Sequence, residues 1–162
     1  MKKLIALVLA LLCVLSVVGC TSKTDGGTSQ NPVENKSSDE KSNEWGIALE
    51  VENVTANGLT IVCNHSGGEN VVELSTGSYY VIQKLEKAGW VDVEYLPQEY
   101  DVTWTLEAWI IQQESTTKWD VNWEWLYGEL SAGEYRIGKK IMNFRGTGDF
   151  DKAMVYADFI IE

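Results

Sequence analysis

The chain has 162 residues, of which 44% are hydrophobic and 23% charged, and its formal net charge is −11. An acidic balance of that size is repelled by nucleic-acid phosphate and by anionic lipid head groups, which argues against a nucleic-acid partner and favours basic or neutral ones. A plainer account of the same acidity is that it keeps an exported protein soluble.

The first segment carries the signals for export. Lys2 and Lys3 precede an uncharged apolar run, Leu4 to Val18, and Val17-Val18-Gly19-Cys20 has the form of a lipobox. The run of 15 residues is shorter than the roughly 20 needed to cross a bilayer, so residues 1–19 are expected to be a cleaved lipoprotein signal peptide rather than a span. Cys20 is then the expected lipidation site. A diacylglyceryl group buries two chains at about 0.8 kcal/mol per methylene, enough for lasting attachment. The expected location is the cell membrane, lipid-anchored and facing the extracellular side. Cys13 leaves with the signal and Cys20 carries the lipid, so Cys63 is left without a disulfide partner and reads as a small buried hydrophobe.

Residues 20–44 read as the lipidated cysteine and a flexible linker. From Thr21 to Glu44, Val33 is the only aliphatic side chain among Ser, Thr, Asn, Gly, Lys and acids, and such a stretch cannot build a core. As a coil of 24 residues it would hold the next domain at an r.m.s. distance of about 25 to 30 Å.

Residues 45–162 suit one domain with a single core. They hold 8 Lys and Arg against 19 Asp and Glu. Period-2 patterning dominates, so the expected class is all-β. Gly46 to Val54 and Gly58 to Asn64 read as the first strands, joined by Thr55-Ala56-Asn57-Gly58, where Asn-Gly is a hairpin signal. Val71 to Leu74 reads as a short edge segment and Tyr79 to Glu86 as a longer strand that turns at Lys87-Ala88-Gly89 into Trp90 to Tyr95, ended by Pro97. Val102 to Ile111, Thr116 to Trp123, Glu134 to Asn143 and Ala153 to Ile161 complete about eight strands, within a sandwich of 7 to 9.

One local feature favours an immunoglobulin-like Greek-key sandwich over a barrel. Leu130-Ser131-Ala132-Gly133-Glu134-Tyr135 places a leucine, a glycine-containing turn and a tyrosine opening a strand, as in a tyrosine corner, whose hydroxyl bonds upstream backbone. Leu130, Gly133 and Tyr135 are therefore assigned structural roles. Together with Trp123-Glu124-Trp125-Leu126-Tyr127-Gly128-Glu129-Leu130 this segment resembles the bacterial Ig-like domain found in many Firmicute surface lipoproteins. The likeness extends over Trp45 to Glu162 and implies fold and location without implying an activity. A more distant likeness is to intracellular proteinase inhibitors with a similar sandwich, although no inhibitory loop can be matched to residues here.

All seven tryptophans lie in the domain, and most are expected in the core. Alternation places Trp119, Val121 and Trp123 on one face. It also puts Val102, Trp104, Leu106, Ala108 and Ile110 together, leaving Trp109 toward solvent, and sets Trp90 with Asp92 and Glu94. Trp90 and Trp109 beside carboxylates would make a platform for the sugar rings of cell-wall polysaccharide. Phe144 and Phe150, flanking Gly146-Thr147-Gly148, form a second candidate contact for a protein partner. Asp149 and Asp151 in that loop lack EF-hand spacing, so a solvated turn is preferred to calcium and no metal is expected. No cofactor is expected either.

For catalysis, His65 is the only histidine and has no nucleophile at a recognisable spacing; it reads as a solvated turn residue. No particular pair of the 19 acids stands out as a glycosidase couple. Asn53-Val54-Thr55 and Asn64-His65-Ser66 match the glycosylation pattern without weight in a bacterial chain. A non-catalytic binding or accessory module is preferred, followed by a proteinase inhibitor and then a small hydrolase. The sequence leaves the oligomeric state open.

Overall fold

The computed structural model describes residues 44–162. The expected signal peptide, the lipidation site Cys20 and the linker up to residue 43 lie outside the described residues. Nine strands and one helical turn follow in order: β1 Ile47–Thr55, β2 Gly58–His65, β3 Glu73–Thr76, β4 Tyr80–Glu86, β5 Gly89–Asp92, β6 Trp109–Ile111, β7 Ser115–Asn122, α1 Glu124–Tyr127, β8 Gly133–Gly146 and β9 Asp149–Ile161. All pairings are antiparallel. The fold is an all-β sandwich of two antiparallel sheets.

The smaller sheet has the order β1-β2-β7. In β7 the exposed and half-buried residues alternate along Ser115–Asn122, as period 2 requires for a strand with one covered face. The β1–β2 turn closes Thr55 on Gly58 around Ala56 and Asn57, held by Thr55 Oγ1 donating to the Gly58 carbonyl at 2.9 Å. The left-handed residue of this hairpin is Asn53 (φ 53°), at a register shift between Glu52 and Thr55, rather than a residue of the expected Asn-Gly pair. A bulge there supplies the twist that a primed turn would otherwise provide.

The larger sheet is built on the long β8–β9 hairpin, paired from Gly133↔Ile161 to Gly146↔Asp149. Along the other side of β8, Glu73 to Ser75 lie against Phe144 to Met142, and Tyr80 to Lys84 lie against Lys139 to Tyr135. β3 and β4 are therefore two pieces of one lane, interrupted at Gly77 to Tyr79. β6 pairs with β3 and β5 with β4, so these two share the next lane. Six strands thus occupy four positions. The segment expected as an edge, Val71 to Leu74, instead contributes to β3, which sits between β8 and β6.

Inward residues from both sheets form the core: Ile47, Leu59, Ile61 and Cys63 from the small sheet, and Leu74, Ile82, Ile111, Tyr135, Ile137, Ile141, Val155 and Phe159 from the large one. The connection between β7 and β8 closes one end. Trp123 is fully buried, its Nε1 donates to the Ala56 carbonyl at 2.9 Å, and its ring lies 5.7 Å from Phe159. Leu130 N donates to the same Ala56 carbonyl. The Tyr135 hydroxyl donates to the Ser131 carbonyl at 2.8 Å while its ring stacks on Phe159, so an aromatic stem is buried and its polar tip satisfied.

Candidate functional site

Strand parity decides where the sequence-predicted site residues fall. Trp90 and Asp92 are on the outer face of the large sheet, where the Arg136 guanidinium lies 4.7 Å from the Trp90 ring and 4.0 Å from the Tyr156 ring. Gln83 links this group, accepting from Arg136 Nε and donating to Asp92, each at 2.6 Å. Trp109 belongs to the opposite face. It is half-buried between the sheets, with its ring 6.3 Å from Trp119 of β7, and its strand neighbours reverse the expected pattern, Ile111 being buried and Ile110 exposed. Trp90 and Trp109 therefore do not share one platform. Glu94 is exposed and lies beyond the end of β5.

The reversal has a simple cause. Even positions, Val102 and Trp104, are covered up to Trp104, whereas odd positions, Trp109 and Ile111, are covered afterwards. Parity changes across Leu106, which is fully exposed. A change of one residue exchanges the two faces of everything that follows.

Phe144 and Phe150 are brought together as a cross-strand pair at the end of the β8–β9 hairpin, with Phe150 41% exposed. Between them Arg145 engages both acids of the turn, Asp149 at 2.7 Å and Asp151 at 2.9 Å. Those carboxylates serve as the arginine's counter-charges and so keep the tip in one geometry.

His65 departs from the solvated turn residue expected. It ends β2 at 2% exposure, with Nδ1 3.1 Å from the Gln112 carbonyl. Cys63 is also buried, and burial pushes its thiol up to about 11, so it stays protonated at neutral pH. Neither presents a nucleophile or base to solvent.

Sequence reasoning missed two features. The first is Lys139, inward-facing on β8 between Ile137 and Ile141 and 1% exposed. Its ammonium donates to the Gly77 carbonyl and lies 5.1 Å from the Trp109 ring and 5.9 Å from that of Trp119. Desolvation lowers it to about 8. The signal was available, since odd positions of β8 from Tyr135 to Asn143 all point inward.

The second is the long excursion from Val93 to Ala108, expected as the end of one strand and most of another. Only Trp109–Ile111 of the latter pairs. The excursion wraps the edge of the large sheet and meets α1: Leu96 N donates to the Leu126 carbonyl at 2.8 Å, and Gln98 Nε2 donates to the carbonyls of Leu96 and Trp125. Tyr95 sits edge-on to Tyr127 at 5.1 Å. Trp104 contacts Tyr79, Tyr80 and Trp125 at 5.3, 5.1 and 6.3 Å. Anchored this way, the excursion leaves Tyr95, Leu96, Tyr100 and Leu106 exposed, with Trp125 of α1 beside it. At its far end a groove of about 260 Å³ opens between Thr105–Ala108 and the outer face of the sheet, flanked by Tyr79, Lys140 and Lys152.

No helix among the described residues is long and apolar enough to cross a membrane. No curated protein and no solved structure matches the chain. A family model, that of the bacterial Ig-like domain, matches residues 41–159 and so covers the whole sandwich apart from its last residues. With its two antiparallel sheets, its tyrosine corner and this match over most of its length, the chain belongs to the bacterial Ig-like domain family.

Proposed function

We propose that this chain is an exported lipoprotein, anchored through Cys20, whose sandwich acts as a non-catalytic binding or accessory module. Its contact surface is the Val93–Ala108 excursion together with α1. The observation that carries this reading is the exposure of large apolar side chains on a segment far longer than the connection requires. Leu106 is 102% exposed, Tyr100 78% and Trp125 53%, on or beside a stretch joining two strands that occupy the same lane. Connections in compact domains are usually two to six residues, and structureless ones beyond about 12 to 15 are commonly functional. Family membership supports the module reading, because the bacterial Ig-like domain is a non-catalytic type.

The test is capture from native envelope and culture medium by the full-length chain in non-ionic detergent. The expected result is a retained component whose recovery falls at least fivefold with the Tyr100→Ala/Trp125→Ala variant. Equal recovery would contradict the assigned surface. In cells, the N-terminal peptide of the membrane-bound chain is expected to begin at Cys20 and to carry the mass of a diacylglyceryl group, and an unmodified Cys20 thiol there would contradict the anchor.

A further inference from the structure

We infer that this surface docks a cationic segment of a partner protein, a stretch rich in lysine and arginine; the inference rests on the excursion being the contact surface. The exposed rings and aliphatic side chains mark a place to dock, and charge selects the occupant. Residues 93–108 and 123–130 contain no Lys, Arg or His. They carry six acids, all exposed: Glu107 at the Leu106 end, which accepts from Trp109 Nε1 at 3.3 Å, and five others, Glu94, Glu99, Asp101, Glu124 and Glu129, on the same stretches as Tyr95, Leu96, Tyr100 and Trp125. None of the five is ion-paired among the described residues. Glu99 merely accepts a 3.4 Å hydrogen bond from the neighbouring Tyr100 hydroxyl.

Elsewhere Glu52 pairs with Lys118 at 2.6 Å and Asp149 and Asp151 pair with Arg145, while most other exposed acids stand singly. What sets this surface apart is several carboxylates on two adjoining segments that hold no basic residue. Basic side chains bound the surface at the Leu106 end, where Lys140 lies 4.7 Å from the Tyr79 ring and Lys152 lines the groove, and beyond Glu129, where Lys84 Nζ donates to Ser131 Oγ at 3.3 Å. The Tyr100 and Trp125 end therefore combines unpaired negative charge with aromatic faces. That combination suits a guanidinium or ammonium, whose charge is attracted both by carboxylates and by ring faces while its methylene stem covers apolar surface. A polyanionic glycan would be repelled, whereas a neutral one would use the rings and take the carboxylates only as hydroxyl acceptors, without drawing on their net charge.

The test uses the full-length chain in non-ionic detergent and fluorescence anisotropy with three labelled dodecapeptides: alternating Lys/Arg and Gly, its Glu-for-Lys/Arg counterpart, and a Ser/Gly peptide. The basic peptide is expected to bind, and the other two are not. Its affinity is expected to fall at least fivefold with Tyr100→Ala/Trp125→Ala, at least fivefold with Glu99→Gln/Asp101→Asn, and at least fivefold in 0.5 M NaCl, since exposed charge is screened within a few ångströms there. Near-ultraviolet circular dichroism checks that both variants keep the wild-type fold. Sensitivity to the carboxamide variant alone would overturn the inference, because it would mean bare attraction without docking. Equal binding of the acidic or neutral peptide would overturn the cationic class while leaving the contact surface in place. So would absence of peptide binding when Tyr100→Ala/Trp125→Ala still abolishes capture from the envelope. Loss of neither binding nor capture in the variants would overturn both readings.

Discussion

Trp123→Ala is expected to destabilise the sandwich by about 3 to 5 kcal/mol, the range for truncating a buried large aromatic. The side chain has no exposed surface, and it joins three parts of the fold. Its indole N–H satisfies the Ala56 carbonyl at the β1–β2 turn, its ring meets Phe159 of β9, and its own carbonyl accepts from Leu126 and Tyr127 of α1. Alanine keeps the backbone bonds and loses the rest, leaving a cavity that the surrounding strands cannot close. The melting temperature is expected to fall by roughly 15 °C or more. Trp125→Ala, two residues further on, is expected to cost no more than about 1 kcal/mol because that ring is 53% exposed. Thermal or urea denaturation of the pair checks the contrast, and comparable losses would contradict the packing described.

The second large effect concerns Lys139. Desolvation lowers it from its ordinary value of 10.5 to about 8, so its charged form is disfavoured in the fold. Between those two values the unfolded chain binds the extra proton, and stability therefore rises with pH; below pH 8 the penalty is fully present. A shift of this size corresponds to about 3 kcal/mol, of which about 1 kcal/mol is relieved between pH 7 and 9. Opposing trends begin above that. The Cys63 thiol, held near 11 by burial, and the Tyr80 hydroxyl, pushed up to about 12, both ionise first in the unfolded chain, so stability falls from about pH 9 upward. Burial raises Tyr127 in the same sense and prolongs the fall. Wild-type stability is expected to peak near pH 9. Lys139→Met fills similar volume without charge, at the cost of leaving the Gly77 carbonyl without its donor. It is expected to be about 1 to 3 kcal/mol more stable at pH 7 and to show no rise toward pH 9. Urea titrations at pH 7, 9 and 10.5 check this; a variant that is less stable at pH 7 with an unchanged pH profile would contradict it.

These two residues also show how far the amino-acid pattern reached. Trp119, Val121 and Trp123 share a covered face as alternation requires, and the Leu130 to Tyr135 segment forms the corner its residue types imply. Both depend on local chemistry alone. Lys139 obeys the same alternation, yet its charge masks its inward position, because a lysine in a strand is ordinarily solvated. The excursion was harder to see. Val102 and Trp104 alternate with threonines like a strand, but alternation reports an extended backbone with one face covered, and carries no information on whether a neighbouring strand accepts its hydrogen bonds. The parity change at Leu106 then exchanged the expected faces of Trp109 and Ile110. His65 was buried by the Gln112 carbonyl, 47 residues away in sequence, a contact no local pattern contains.

The contact surface itself is tested most directly by amide hydrogen exchange on the full-length chain, alone and with the component it captures from the envelope. Protection is expected in residues 94–108 and 124–129, with the β8–β9 hairpin tip and the Trp90 side of the large sheet unchanged. Protection at residues 143–151 or at β5, with the excursion unaffected, would contradict it.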